Sequence, residues 1–325
     1  MGRALTDTLR TSPTPTSTTA GAAKWLVARR VPIVLAFLAV SIAVGVIVRD
    51  VDRPWILVWL IVTLFLLCWR SPQRVAIVVI DWLPLLLIAA GYDLVRSFAV
   101  DLEPRAIFTP QLRFDELLFG GKVPTVTLQQ WLHPGVTPHW WDYLVFCFYL
   151  SHFAVTPIFA AYLWLTDHDR FHRLAMVIMW VCIAGFATYV IVPAAPPWLA
   201  SRHGDLQHTV RVVQRVWASL GATGPARVFN GNASLANPVG ALPSLHAAWP
   251  FAVLLFVWRR APRGRWVVLA YNAAMWFVLV YGSEHYVSDI MLGWVYAIVA
   301  FIVVNRVIDR RHAAANRAVT TPAPA

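Results

Sequence analysis

The sequence predicts an all-α fold: a polytopic membrane helix bundle of about eight spans. Three observations predict it. The chain is 59% hydrophobic and only 13% charged, where a soluble domain carries about 45–50% apolar and about 25% charged residues. The apolar residues gather into eight runs close to the length that crosses a bilayer, about 17–25 residues. The basic residues fall in alternate connections between those runs. Seventeen Trp add the ring that favours the membrane–water interface.

Residues 1–23 are rich in Thr, Pro, Ser and Ala and lack an apolar core, which reads as a disordered cytoplasmic tail. No small-residue cleavage site follows the first apolar run, so no removable signal peptide is expected. The spans are expected over 31–48, 54–68, 75–95, 141–165, 171–192, 243–258, 266–281 and 287–305. The second and sixth are short and would tilt or extend into the interface. Residues 24–74 then hold two accessory spans, 75–308 a six-span core, and 309–325 a second cytoplasmic tail.

Arg3, Arg10, Lys24, Arg29 and Arg30 precede the first span, Arg70 and Arg74 follow the second, and Arg170 and Arg173 follow the fourth. Arg259, Arg260, Arg263 and Arg265 follow the sixth, and Arg306, Arg310, Arg311 and Arg317 the eighth. Basic residues mark cytoplasmic connections, so both termini are expected in the cytoplasm and the protein in the plasma membrane. The net charge of +11 is thereby a topology signal, and a nucleic-acid partner is not expected. Cys68, Cys147 and Cys182 lie in apolar runs without metal-type spacing and read as packing residues.

Two outer connections are long, 96–140 and 193–242, and long loops concentrate function. Between Leu206 and Leu220, Val210, Val213, Val216, Trp217 and Leu220 share one helical side, which predicts a helix lying in the interface.

Three outer elements carry unusual polar residues. In Gly240-Ala241-Leu242-Pro243-Ser244-Leu245-His246, Pro243 suits a first helical turn. The free N–H groups there, with the Ser244 hydroxyl, would bind an anion. In His285-Tyr286-Val287-Ser288-Asp289, the four-residue spacing puts a carboxylate behind an imidazole on one helix face. Asp289 would take the N–H of one ring nitrogen and leave the other bare as a nucleophile. In Gly91-Tyr92-Asp93-Leu94-Val95-Arg96, Arg96 offers a planar fork for phosphate, with Tyr92 and Asp93 beside it. Plainer readings stand next to these: a capping pair for His285 and Asp289, a local ion pair for Asp93 and Arg96.

The run Pro243-Ser244-Leu245-His246, followed by His285-Tyr286-x-x-Asp289, resembles the type-2 phosphatidic acid phosphatase superfamily. Leu245 between Ser and His, and Val192-Pro193-Ala194-Ala195-Pro196-Pro197-Trp198, resemble its inositol phosphorylceramide synthase branch. The resemblance covers about residues 75–305. It implies that His285 attacks phosphorus to form a phosphohistidine, that Asp289 orients it, and that His246 protonates the leaving oxygen and then deprotonates the acceptor. It implies no metal and no cofactor. The Lys and Arg-Pro pattern of the phosphatases has no good copy here, and Val278 and Leu279 stand where Ser-Arg usually precedes the second His. Arg202 is therefore a second candidate phosphate clamp, and His152, a polar residue within the fourth span, a further substrate contact.

The expected function is a membrane phosphotransferase. It moves a phosphoryl or phospho-alcohol head group, such as inositol phosphate, on outer-leaflet lipids, with the active site on the extracytoplasmic side. Hydrolysis of a lipid or polyprenyl phosphate is the alternative. A lipid transporter without chemistry is a third reading, disfavoured because no paired broken spans suggest inverted repeats.

Overall fold

A computed structural model describes residues 72–132, 137–220 and 237–320, without the side chains of 72–76, 89, 90, 93, 96, 97, 100 and 318–320. The expected tail at 1–23 and the expected spans at 31–48 and 54–68 lie outside the described residues. The chain divides into two compact units, Met1–Val79 and Ile80–Ala325. In chain order the described helices are α1 (Pro72–Leu102), α2 (Thr109–Leu118), α3 (Pro124–Leu132), α4 (Trp140–Thr166) and α5 (His168–Ile191). They continue as α6 (Pro197–His203), α7 (Val212–Ser219), α8 (Leu245–Val257), α9 (Gly264–Tyr281) and α10 (Val287–Thr320). The described residues hold no β-strand beyond isolated bridges at Ile107, Ala194 and Gly240.

The protein is an integral membrane protein. Helices α4, α5, α9 and α10 are long and apolar enough to cross a bilayer, and Ile77–Ile88 and α8 are shorter apolar helices. All six fall on the expected core spans. Large apolar side chains exposed on them, such as Ile158, Ile191 and Val267, form the surface that lipid covers. Helix α10 runs on to Thr320, so 309–320 is helical where a tail was expected. No Gly or Pro stands between Trp294 and Thr320 to stop it.

Helix α8 is apolar on every side, the pattern of a helix surrounded by protein. It packs against α4, α5, α9 and α10. Ala247, Ala248 and Ala252 are fully buried along it, and such small residues let neighbouring backbones come close. The closest approach is at Gly293 of α10, where a Cβ would stand 2.5 Å from the Ser244 carbonyl oxygen. Ser244 caps α8, its Oγ accepting from Ala247 N at 3.3 Å. Pro243 thus lies just outside the helix instead of in its first turn. Pro250, one turn into α8, has no N–H for the carbonyl of His246.

The two long connections fold onto one end of this bundle. Ile107 N donates to Pro193 O at 2.7 Å, Ala194 N to Val239 O at 3.0 Å, and Ala241 N to Ala194 O at 3.1 Å. Gln129 of α3 is a buried junction: its amide donates to Val210 O at 2.7 Å and Tyr281 O at 2.6 Å, and accepts from Val210 N at 2.7 Å. The helix expected over 206–220 forms only from Val212 to Ser219. Its apolar face is buried in protein, not laid in the interface. Val212, Val213 and Val216 pack with Met275, Val278 and Leu279 of α9.

Candidate active site

The N-terminus of α8, the turn after α9 and the first turn of α10 meet at that end. The rings of His246 and His285 face each other there with centroids 5.6 Å apart. His246 Nε2 is buried and makes no hydrogen bond among the described residues. Backbone bonds fix the register of the two motifs: Ser244 N donates to Asp289 O at 2.9 Å, next to the Gly293 contact.

His285 is not on a helix, as its spacing to Asp289 suggested. It sits in the turn before α10, with Glu284 N and His285 N both on Leu279 O at 3.0 and 3.2 Å. Ser283, just before, has a left-handed φ of 64°, which closes α9. His285 Nδ1 lies 3.0 Å from Ala241 O and 3.5 Å from Asp289 Oδ2. A carbonyl oxygen only accepts, so Nδ1 is the nitrogen that donates, and in the neutral ring Nε2 then keeps its lone pair. Two acceptors thus stand beside Nδ1, the Ala241 carbonyl and, further off, the fully buried Asp289 carboxylate. Asp289 is held in turn by Tyr286 N, 2.9 Å from Oδ2.

His152 of α4 approaches His246, ring centroids 4.6 Å apart. Its ring also packs on Trp249, centroids 5.1 Å apart, in the turn where Pro250 leaves the His246 carbonyl without a helical donor. Tyr149, one turn earlier, stacks on His246 at 5.0 Å. Beyond them lies Arg211, the residue before α7. Its Nε and Nη2 donate to Glu284 Oε1 and Oε2 at 2.8 and 3.0 Å, and it lies 4.9 Å over the Trp198 ring. Burial works against its charge, but Glu284 more than offsets this and holds the guanidinium above the ordinary arginine range. Its field reaches both Tyr149 and His246. On the far side of Arg211 a cavity of about 500 Å³ is lined by Trp198, Arg202, His208, Arg211 and Arg215, among others.

Asp115 of α2 is fully buried and caps α10 from outside. Its carboxylate oxygens accept from Val287 N at 3.0 Å and Ser288 N at 3.1 Å. Burial raises its pKa to about 6, against the lowering effect of those two amides.

Of the expected substrate contacts, the structure brings His152 to His246 and Tyr92 within electrostatic reach of Tyr149 and Arg211. Ser244 is fully buried as the α8 cap. Arg202 is separate from the histidines: it stacks 5.0 Å over Trp198, donates to Gln214 at 3.2 Å and lines the cavity. The side chains of Asp93 and Arg96 lie outside those described. Sequence reading missed Arg211, Glu284, Asp115 and the Ala241 carbonyl. Glu284, adjacent to His285, is an acid in an apolar stretch with no Lys or Arg near it in sequence. It signals that a cation from elsewhere must meet it.

A family model of the PAP2 superfamily matches residues 124–303. The phosphoinositol dihydroceramide synthase of Bacteroides thetaiotaomicron is 33% identical over 167 residues, covering 48% of this chain and 53% of the relative. The catalytic subunits of inositol phosphorylceramide synthase from Schizosaccharomyces pombe and Saccharomyces cerevisiae are 28% and 29% identical over 121 and 117 residues. Those matches cover 36% and 34% of this chain and 29% and 28% of the relatives. The chain thus spans about half the length of the bacterial relative and under a third of the yeast ones. No solved structure gives a significant match.

Proposed function

The chain belongs to the PAP2 superfamily, which accounts for more than half of it, and on that premise we propose that it is a membrane phosphotransferase acting through a phosphohistidine. The observation that carries the reading is the facing pair His246 and His285, 5.6 Å apart, with the Nδ1 proton of His285 committed to Ala241 O. The bare Nε2 of His285 attacks phosphorus while the bond to the leaving oxygen breaks, and His246 gives that oxygen its proton. The acceptor hydroxyl then attacks the phosphohistidine and returns a proton to His246. Asp289 offsets the charge that forms on His285. Arg211 meets the phosphoryl oxygens with donors outside its Glu284 pair. Arg96, whose side chain is not described, remains a second clamp, with Tyr92 and Asp93 beside it. Ser244 acts by capping α8, and His152 packs against the His246 ring and holds its orientation.

The relatives' names add the chemical class. Carried to this chain, the transferred group is phosphoinositol and the acceptor a dihydroceramide hydroxyl. The arginine-lined cavity of about 500 Å³, next to Arg211, suits a polyhydroxylated anionic head group. Arg202 contacts the group there. The alternating basic residues support cytoplasmic termini and an extracytoplasmic site, and the membrane proposed is the plasma membrane.

The test is reconstitution in liposomes with head-group-labelled phosphatidylinositol and dihydroceramide, read by lipid mass spectrometry. Labelled phosphoinositol dihydroceramide plus diacylglycerol is the expected result. Release of water-soluble inositol phosphate alone would make the protein a hydrolase. No turnover of any lipid phosphate would end the enzymatic reading.

A further inference from the structure

The opposite end of the bundle carries a second polar cluster that the proposed reaction does not use. Asp81 of α1 faces His168 and His172 at the start of α5. His172 Nε2 is 3.0 Å from Asp81 Oδ1, and His168 Nε2 is 3.3 Å from Asp81 Oδ2. One ligand atom from each residue can be chosen so that all three lie within 4.8 Å of one another. About 20 Å of helix separates His172 from Gly185, where α5 touches the histidine site, at 1.5 Å per residue.

A carboxylate within an apolar span is costly unless a partner keeps it there. The Asp81 side chain is only 7% exposed. Trp164 fixes it, its indole N–H donating to Oδ2 at 2.8 Å. The two imidazoles are four apart on α5, on one face, and each is 47% exposed, so the cluster is open on one side. Tetrahedral zinc, with ligands at about 2.0–2.2 Å, needs donor atoms about 3.3 Å apart. Each imidazole nitrogen lies at that distance from one oxygen of the carboxylate, His172 from Oδ1 and His168 from Oδ2, so both oxygens face the space between the rings. Two imidazoles and one carboxylate leave one tetrahedral position open to water. The hydrogen bond from Trp164 to the carboxylate is the outer-shell contact that orients metal ligands.

We propose that Asp81, His168 and His172 form a binding site for a divalent transition-metal ion of the zinc class. The ion clasps α1 to the joint between α4 and α5, at the end of the bundle away from the reacting histidines. It takes no part in phosphoryl transfer.

Protein without a polyhistidine tag is purified in detergent and stripped with chelator. It is then titrated with Co²⁺, read by visible absorption, and with Zn²⁺ against a chromophoric competitor. One tightly bound equivalent is expected, with the intense visible bands of low-coordinate Co²⁺ and a Zn²⁺-dependent rise in the unfolding midpoint. Asp81→Asn and His172→Gln, which keep hydrogen-bonding groups in place, should lose the bands and the thermal response. Trp164→Phe should weaken zinc about 10–100-fold, as other outer-shell losses do. Wild-type protein that binds no stoichiometric metal overturns the proposal whatever the variants do. So does a full equivalent retained by folded Asp81→Asn and His172→Gln.

Discussion

Single side chains decide whether this site is a catalyst or a packed polar junction. His285→Ala should abolish turnover per folded molecule, because it removes the nitrogen proposed to attack phosphorus. His246→Ala should still form the phosphohistidine slowly from a substrate with a good leaving group, since only proton delivery is lost. Asp289→Asn is the more discriminating change. If the carboxylate alone set the tautomer, the loss would approach 10⁴-fold, as in a hydrolytic triad. Ala241 O already holds the Nδ1 proton, so the expected loss is on the order of 10², the cost of uncompensated charge. Turnover of a soluble lipid-phosphate analogue, normalised to folded protein, separates the two. Asp115 gives a pH signature. Its folded pKa of about 6 lies above the ordinary 3.8, so the folded state holds the extra proton between those values. Its contribution to stability is full below about 3.8 and is lost as pH rises through 6. The unfolding midpoint of the wild type should therefore fall between pH 5 and 7.5 by more than that of Asp115→Asn. Equal slopes would remove Asp115 as the cause. That His246, His285 and Asp289 belong together was legible from two short motifs, and the structure places the three side by side. Arg211 and Asp115 were not legible, because each meets its partner only through the fold, 73 and 172 residues away.

At the scale of elements, the site is the crossing of α8 and α10. Gly293 matters because the Ser244 carbonyl occupies the place of its missing Cβ. Gly293→Ala must separate the two helices, and a displacement near 1 Å at a reacting centre costs about 10²-fold. Activity should fall by about that factor, with a smaller change in thermal stability than a core cavity would cause. Unchanged kcat in Gly293→Ala would show that the crossing tolerates slack. Helix ends and faces were read less well than helices. The 206–220 stretch was read as an interfacial helix because its amphipathic face looks the same whether lipid or protein covers it. What covers it is α9, which no local pattern discloses. His285 was placed on a helix by its spacing to Asp289, but the left-handed Ser283 and the turn that follows it hold it just outside. Gly282 is the residue that sequence would have chosen for that conformation, yet it has φ −66°.

Across the whole molecule, the alternation of basic and apolar segments made the four spanning helices and the two shorter apolar ones legible, since lipid leaves the backbone few alternatives to helix. The same alternation predicts the orientation. A cysteine introduced at Arg263, in the connection after α8, should resist an impermeant thiol reagent in intact cells, while one at Gln207 should react. The reverse labelling would invert the protein in the membrane. The packing of the two long connections over the site was not legible, because it depends on pairings such as Ile107 with Pro193 that carry no sequence signature. One of these long-range ties also sets a clock. Asp115 and the Val287 amide it caps are 172 residues apart, and a ribosome adds about 5–20 residues per second. Roughly 10–35 s therefore pass between synthesis of the cap and synthesis of the helix it holds. When that interval opens the chain has its carboxylate but neither histidine; His246 follows late in it, and His285, the nucleophile of the proposed mechanism, is made only at its end. Lipid phosphates around the translocation site are safe from the chain until the last helix enters the membrane.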